Sequence, residues 1–264
     1  MRERSNPDFV EAIARGFSVV RSFDGAPLQS LSEVAQRAEL ARPTARRILI
    51  TLQELGYVAS KEGRFELTPR VLELGVAFYG GSDFWETAMP RLRQLVDLTN
   101  ESSSIAVLDG SDVVYVARAA VPKLVTLSVS VGTRFPAAQT SLGKVLLADL
   151  SAEKLSEVVA TPSRSGIVPP WNPSREELDA VLARVREQGW AISDQQLAPA
   201  IRSIAAPIRK SDGTVFAALN VNAHAAETTL EYLQESHLPH LLRTASELGD
   251  DYALRARIPV ATAG

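Results

Sequence analysis

Residues 30–67, SLSEVAQRAELARPTARRILITLQELGYVASKEGRFEL, constrain this chain more than any other stretch. Ser30-Leu31-Ser32-Glu33 has the spacing of a capping box, in which Ser30 accepts from the Glu33 amide and Glu33 reaches back to the Ser30 amide. Leu31, Val34, Ala35 and Ala38 then recur at helical spacing. After a tight connection through Glu39–Ala41, a second helix is predicted from about Arg42 to Leu55. Gly56 follows it, where a left-handed residue is least strained. Tyr57–Ser60 and Arg64–Leu67 read as the arms of a hairpin around Lys61-Glu62-Gly63.

A rotation of about 100° per residue sorts the second helix. Ala45, Ile48, Leu49, Leu52 and Leu55 share a face expected to pack on the first helix, while Pro43, Arg46 and Arg47 lie roughly opposite. Arg42 and Thr44 flank its first turn. Arginine takes guanine O6 and N7 or a phosphate, and threonine reaches base edges or backbone. Lys61 and Arg64 at the hairpin tip suit phosphate contact, and Ser32 joins the candidate DNA-binding set from the first helix. Two short helices with a tight link also occur in many all-α folds, and an arginine pair is ordinarily a solvated face. The order helix–turn–helix–hairpin, with basic residues at both contact points, favours a winged DNA reader.

The charge distribution supports a local reader over a protein that coats nucleic acid. The net charge is −3, but residues 1–80 carry +1 and the remainder −4. Basic character is thus local, at Arg42, Arg46, Arg47, Lys61 and Arg64, beside a larger acidic part. The chain has no cysteine, which excludes disulfides and thiolate metal sites. Its three histidines, His224, His237 and His240, lack the further ligands a metal centre needs. No metal or cofactor is expected. The charged start MRERSNPDFV has no apolar signal region, and no run approaches bilayer length, so the expected location is the cytoplasm with no membrane partner.

A length of 264 residues suits a small and a larger domain. Asp8–Phe23 is predicted as an amphipathic helix whose Phe9, Ile13, Phe17 and Val20 enter the core. Thr68-Pro69 opens a helix that is apolar over much of its girth, from Val71 to Phe78, and so suited to a second chain. A further helix runs to Asn100, kinked or begun by Pro90. From Ser102 the period becomes that of strands: Ser102–Leu108, Val113–Ala119 and Leu124–Val131, then Trp190–Asp194, Ser203–Arg209 and Val215–Val221. Helices are expected over Thr140–Leu150 and Ala152–Val159, and from a second capping box at Ser174–Glu177 to Gln188. The last runs from Thr228 to about Leu248, bent near Pro239, with a frayed tail beyond Arg257. Hairpins with helices grouped between them indicate an antiparallel α+β sheet, giving a two-domain α/β chain overall.

Within the larger domain, Gly132–Lys144 joins a strand to a helix and places Thr140 and Ser141 at the helix entry, where free amides suit a carboxylate. A capped helix with solvated polar residues is the alternative. Asn220 and Asn222 alternate onto one strand face, either exposed or turned inward toward a polar partner such as a ligand.

These residues together resemble the IclR-type bacterial transcriptional regulators over nearly the whole chain. The resemblance implies a winged helix-turn-helix domain at 1–68, a linker helix at 69–82 and a GAF-like effector-binding and oligomerisation domain at 83–257. It also assigns the first helix in part to dimer contact. The segment from Gly132 through Pro136 to Gly143-Lys144 is similar to the family's G-x-x-x-P…GK stretch, which borders its effector pocket. That similarity places Leu127, Phe135, Ser141 and Leu142 on the pocket wall, with Ser193, Ile201, Ser203, Asn220 and Asn222 across it. One departure stands out: where the family usually has a serine or threonine cap on the recognition helix, this chain has Ala41, leaving Pro43 to pre-set the first turn.

RSGIVPPW, RSIAAPIRKSDG and AALNVNAHA are similar to the branch controlling aromatic-acid catabolism, the PcaR, PcaU and PobR type. Its effectors are protocatechuate, 4-hydroxybenzoate or β-ketoadipate, all carboxylates, so Arg134, Arg202 and the Thr140–Ser141 helix start are candidate anchors. The implied partners are palindromic operator DNA, a small carboxylate effector and further copies of the chain, as a homodimer or dimer of dimers. A hydrolase using the same pocket is the rival class, but there is no G-x-S-x-G elbow, Walker A loop or strand-borne G-x-G-x-x-G. No catalytic residue is assigned. A pure oligomerisation module would leave the arginines of the second helix unexplained.

Overall fold

The computed structural model describes residues 7–79, 84–121 and 129–255, and the chain folds as two units, Met1–Gly81 and Ser82–Gly264. The first contains α1 (Glu11–Arg21), β1 (Gln29–Ser30), α2 (Leu31–Arg37), α3 (Arg42–Glu54), β2 (Val58–Lys61), β3 (Arg64–Leu67), a 3₁₀ turn at Pro69–Val71 and α4 (Leu72–Tyr79).

The capping box forms. The Ser30 amide donates to Glu33 Oε2 at 2.6 Å and the Glu33 amide to Ser30 Oγ at 3.4 Å, which holds the Glu33 carboxyl below its ordinary range. α3 starts without a side-chain cap at Ala41, with Pro43 in its first turn. Its end is a Schellman motif: Tyr57 N donates to Leu52 O at 2.8 Å and Gly56 N to Gln53 O at 2.9 Å, with Gly56 at φ 80°. Glu62 and Gly63 both have positive φ, 52° and 77°, the two-residue turn that matches hairpin twist. The predicted hairpin is therefore present, and a two-residue strand, β1, pairs with β3 to give the order β1-β3-β2. Val19, Phe23, Val34, Ala38, Leu49 and Val58 form the small core.

Two expectations for this unit are corrected. Ile13 and Phe17 are 59% and 55% exposed and Phe9 is exposed as well, while Val19, on the other side of α1, is fully buried. The apolar stripe of α1 is wider than the face α2 and α3 can cover, so most of it stays outside the core. Leu55, expected on the packed face of α3, is 52% exposed because the helix ends there and the chain turns away. Val20 is only partly buried.

The second unit begins with α5 (Phe84–Thr99), which carries Pro90 inside it. β4 (Ser102–Asp109) and β5 (Asp112–Ala119) form the predicted hairpin. There follow β6 (Arg134–Pro136), α6 (Ser141–Ala148), α7 (Ala152–Ala160), α8 (Arg175–Gln188), β7 (Ala191–Asp194), β8 (Ile201–Arg209) and β9 (Val215–His224). A single turn α9 (Leu230–Tyr232), a π segment at Leu233–His237 and α10 (Leu238–Arg255) close the described chain. The second capping box also forms, with Ser174 N to Glu177 Oε2 at 2.7 Å, and Gly189 ends that helix at φ 81°. Near Pro239, where a bend is expected, the helical hydrogen bonding changes to a π segment at Leu233–His237. The strand expected at Leu124–Val131 falls mainly on 122–128, outside the described residues, and Val129–Val131 is not strand. β6 lies instead inside the segment read as a loop.

The six strands among the described residues run in the order β6-β5-β4-β9-β8-β7, and every pairing between them is antiparallel. The domain is the α+β architecture expected. Alternate side chains face two helical layers. Ile105, Ala117, Ile204, Ala206, Leu219 and Val221 pack with Leu92 and Leu95 of α5 and with Leu241 and Leu248 of α10. Ala106, Val113, Tyr115, Ala205 and Ala218 pack with Leu142, Val145 and Leu146 of α6 and with α7 and α8. Gly143 lets α6 approach its own entry: a Cβ there would strike the Ala137 backbone carbonyl.

Candidate DNA-reading surface and effector site

Arg42, Pro43, Arg46 and Arg47 are exposed on the outer turns of α3, Lys61 and Arg64 are exposed on the hairpin, and Ser32 is exposed on α2. Thr44 is half-buried. None of these five cations has a carboxylate within ion-pair distance among the described residues. Elsewhere in the same unit, by contrast, Arg15 meets Glu11 at 3.4 Å and Arg70 meets Glu73 at 3.3 Å. Unpaired cations on a short helix and a neighbouring hairpin tip make a surface for a polyanion. Beside it runs an open apolar groove of about 980 Å³, bordered by Ile13 and Phe17 of α1, Ile48 and Leu55 of α3, and Leu74 of α4. Thr44 and Arg47 stand on its edge as well as on the outer face of α3.

In the second unit the register brings a polar group together on the α6 face of the sheet. Arg118 of β5 pairs across to Ser104 of β4, and Ser104 to Asn220 of β9. Two residues further along, and so on the same face, Ser102 pairs with Asn222, Asn222 with Ser203, and Ser203 with Ser193. Two polar rows thus cross the sheet side by side. Both asparagines turn inward, as one of the two sequence readings had it, but Asn220 is satisfied by protein: Oδ1 accepts from the Ser104 amide at 3.1 Å and Nδ2 donates to Asn222 Oδ1 at 3.2 Å. The Tyr115 phenol, pushed up to about 12 by burial, faces both amides. Ser141, at the start of α6, shares a hydrogen with Ser203 at 2.8 Å, and Ser193 donates to Gln139 O at 2.7 Å. Ile201 opens β8 on the same face, two residues before Ser203.

Other members of the sequence-derived set serve different ends. Phe135 packs edge-on to Tyr115 at 5.5 Å between ring centroids, and Leu142 is fully buried in the α6 core. Thr140 caps α6, accepting from Gly143 N at 2.9 Å, so its hydroxyl is committed to the helix. Arg134 is not free to anchor a ligand: it pairs with Asp109 at 2.7 Å and Asp112 at 3.3 Å at the end of the β4–β5 hairpin. Arg202 is held by Asp194 at 2.7 Å and by Thr228 O at 2.7 Å, and alternation points it away from the face that carries Ser203. Leu127 lies outside the described residues. Sequence reasoning missed Ser102, Ser104, Tyr115 and Arg118, although their alternation along two predicted strands was there to be followed. Among the described residues no cluster could hold a metal ion and no helix is long and apolar enough to cross a membrane.

Two family models match, "IclR helix-turn-helix domain" over residues 12–62 and "Bacterial transcriptional regulator IclR C-terminal" over residues 78–249. The chain is 36% identical over 245 residues to the Pca regulon regulatory protein of Pseudomonas putida, covering 92% of this chain and 84% of that one. It is 33% identical over 248 residues to the p-hydroxybenzoate hydroxylase transcriptional activator of Acinetobacter baylyi, covering 91% of each. Among solved structures, a protein of Rhodococcus sp. RHA1 described as a transcriptional regulator superposes with a TM-score of 0.80 at 42% identity, over 93% of this chain and 99% of the other. An IclR homologue of Microbacterium hydrocarbonoxydans, complexed with 4-hydroxybenzoate, gives a TM-score of 0.79 at 25% identity, over 92% and 100%.

Proposed function

This chain belongs to the IclR family of bacterial transcriptional regulators, and from that premise we propose how its own residues carry out regulation. It is a DNA-binding regulator with an effector domain, not an enzyme. α3 enters the major groove with Arg46 and Arg47 toward base edges and phosphate, while Lys61 and Arg64 of the hairpin follow the adjacent backbone. The exposed, unpaired state of these cations is the observation that carries the reading.

Two copies associate through the apolar groove of α1, α3 and α4, whose exposed Ile13, Phe17 and Leu74 are otherwise left in water. A two-fold pair sets the two α3 helices on one side of the duplex, so the operator is a palindrome with half-sites about one helical turn apart. Pairs assemble further into a dimer of dimers, and the regulator works in the cytoplasm, where the chromosome is.

The effector is a small aromatic acid of the 4-hydroxybenzoate or protocatechuate kind, bound over the polar rows of β4, β5, β8 and β9. The names of two relatives and the ligand of a structural neighbour support this class. Binding alters operator affinity only insofar as the acid prefers one arrangement of the protein.

The test of the DNA surface is a gel shift on a duplex selected from a random pool by the native protein. Replacing Arg46 and Arg47 together with alanine should weaken binding by roughly 100-fold, since each lost contact is worth about 1–3 kcal/mol. Affinity for 4-hydroxybenzoate should stay the same. An unchanged gel shift would remove α3 from the groove.

A further inference from the structure

A carboxylate effector needs a cation, and the sequence offered Arg134, Arg202 and the α6 entry. Arg134 is already engaged by Asp109 and Asp112 and Arg202 by Asp194, and at the α6 entry the Thr140 hydroxyl is taken by the Gly143 amide. Arg118 is different. It lies on β5 at the head of a polar row, half-buried, and its hydrogen bond is to the hydroxyl of Ser104, 3.0 Å from Nη1. No carboxylate lies within ion-pair distance of it among the described residues. Burial lowers its pKa from the ordinary value, while the Tyr115 phenol beside it acts the other way.

A guanidinium partly withdrawn from water, with no acid beside it among the described residues, is costly unless an anion completes it. Its planar fork matches a carboxylate two-pronged. Next to it Ser104, Asn220 and Asn222 supply uncharged polar edges, and Tyr115 an aromatic wall.

Resting on the aromatic-acid reading above, we propose that Arg118 is the residue that takes the effector's carboxylate, and that it makes the site select the ionised acid over a neutral molecule of the same shape. Ser104 holds the guanidinium in place from behind, and Asn222, half-buried and steadied by Asn220, meets a polar ring substituent.

The experiment uses the full chain and measures calorimetric affinity for 4-hydroxybenzoate, protocatechuate and the neutral isostere 4-hydroxybenzamide. The native protein should prefer both acids to the amide. In R118Q the acids should bind at least roughly 30-fold more weakly, the loss expected for a charge-assisted contact, with the amide affected little and the preference gone. A variant that still prefers acid to amide by the native margin overturns the assignment. If R118Q does not fold, R118K decides: the ammonium keeps the charge without the fork, so acid affinity should fall by roughly tenfold and amide affinity hold. Unchanged acid affinity, or an equal loss for acid and amide, overturns the role of Arg118. If the native protein binds neither acid nor amide, the aromatic-acid reading fails and the anchor with it; failure of discrimination in the variants alone leaves that reading standing.

Discussion

The cations without an acid partner on α3 and its hairpin and those inside the second unit occupy opposite environments. In the first, Arg42, Arg46, Arg47, Lys61 and Arg64 stand in solvent on α3 and the hairpin. In the second, Arg118 is half-buried and Lys144 is 2% exposed, its ammonium donating to Ile192 O at 2.7 Å and to Gln196 and lying 5.0 Å from the centre of the Trp171 ring. None of the seven has a carboxylate within ion-pair distance among the described residues. An exposed cation adds little to folding and acts on a partner large enough to bring its own charge. A buried one costs stability, and must be offset by the dipoles around it or by a ligand. Removing a cation should therefore leave the first unit's fold intact and change the second unit's stability.

The largest effect is expected at Lys144. Burial, with Arg184 nearby, lowers its ammonium from 10.5 to about 8. Between those values the unfolded chain holds a proton that the folded chain has released, so this group's contribution to stability rises with pH across the window. Below about pH 8 its cost is fully present; above 10.5 it is gone. Lys144→Met removes that dependence. The advantage of the methionine variant over the native protein in chemical denaturation should therefore be greatest near pH 7 and shrink by about 3 kcal/mol by pH 10.5, at about 1.4 kcal/mol per unit. A difference that does not vary with pH would mean that Lys144 is not held as a buried charge, and the contrast between the units would narrow.

Asn220 sharpens the comparison on neutral ground. It is 1% exposed, and its amide joins the Ser104 backbone to Asn222. Asn220→Ala strands the Ser104 amide and one side of Asn222, a loss of about 2 kcal/mol in unfolding free energy. The same variant should weaken 4-hydroxybenzoate binding. Loss of ligand affinity with no loss of stability would make this residue like the exposed arginines, a contact and nothing more.

The contrast also explains what could be read in the chain. The winged unit is specified by neighbours in sequence: the box at Ser30 and Glu33, the left-handed Gly56, and the turn at Glu62-Gly63 are each local, and helical phase alone turns Arg46 outward. What failed there was extent. The apolar stripe of α1 was visible, but how much of it the small core would accept depends on how far α2 and α3 reach. In the sensor domain the hairpins and the inward turn of Asn220 were within reach of period two. Arg118 was not, because it joins Asn220 only through the pairing of β4 with both β5 and β9, which no local pattern states. A bulge at Ile105/Ala106 shifts that register again. The same limit let Arg134 and Arg202 look available: Asp112 lies 22 residues from Arg134, and the face to which alternation assigns Arg202 is known only once its sheet is built.

The smallest effect separates the backbone of the winged unit from its side chains. α3 begins at Ala41 with φ −61° and ψ 139°, extended as an N-cap should be, yet with no side chain to accept from the first turn. Pro43 has no amide to satisfy, which leaves that of Thr44 as the one a capping hydroxyl would reach. Ala41→Ser needs no change of backbone and should stabilise the protein by about 1 kcal/mol in chemical denaturation. Operator affinity should hold, because the cations assigned to DNA project from the outer face of α3 rather than from its axis. If stability rises and affinity falls, the open amides at the start of α3 themselves meet a phosphate. Part of the reading would then pass from the exposed cations to the helix terminus, and the missing cap would be a feature of the binding surface rather than of the fold.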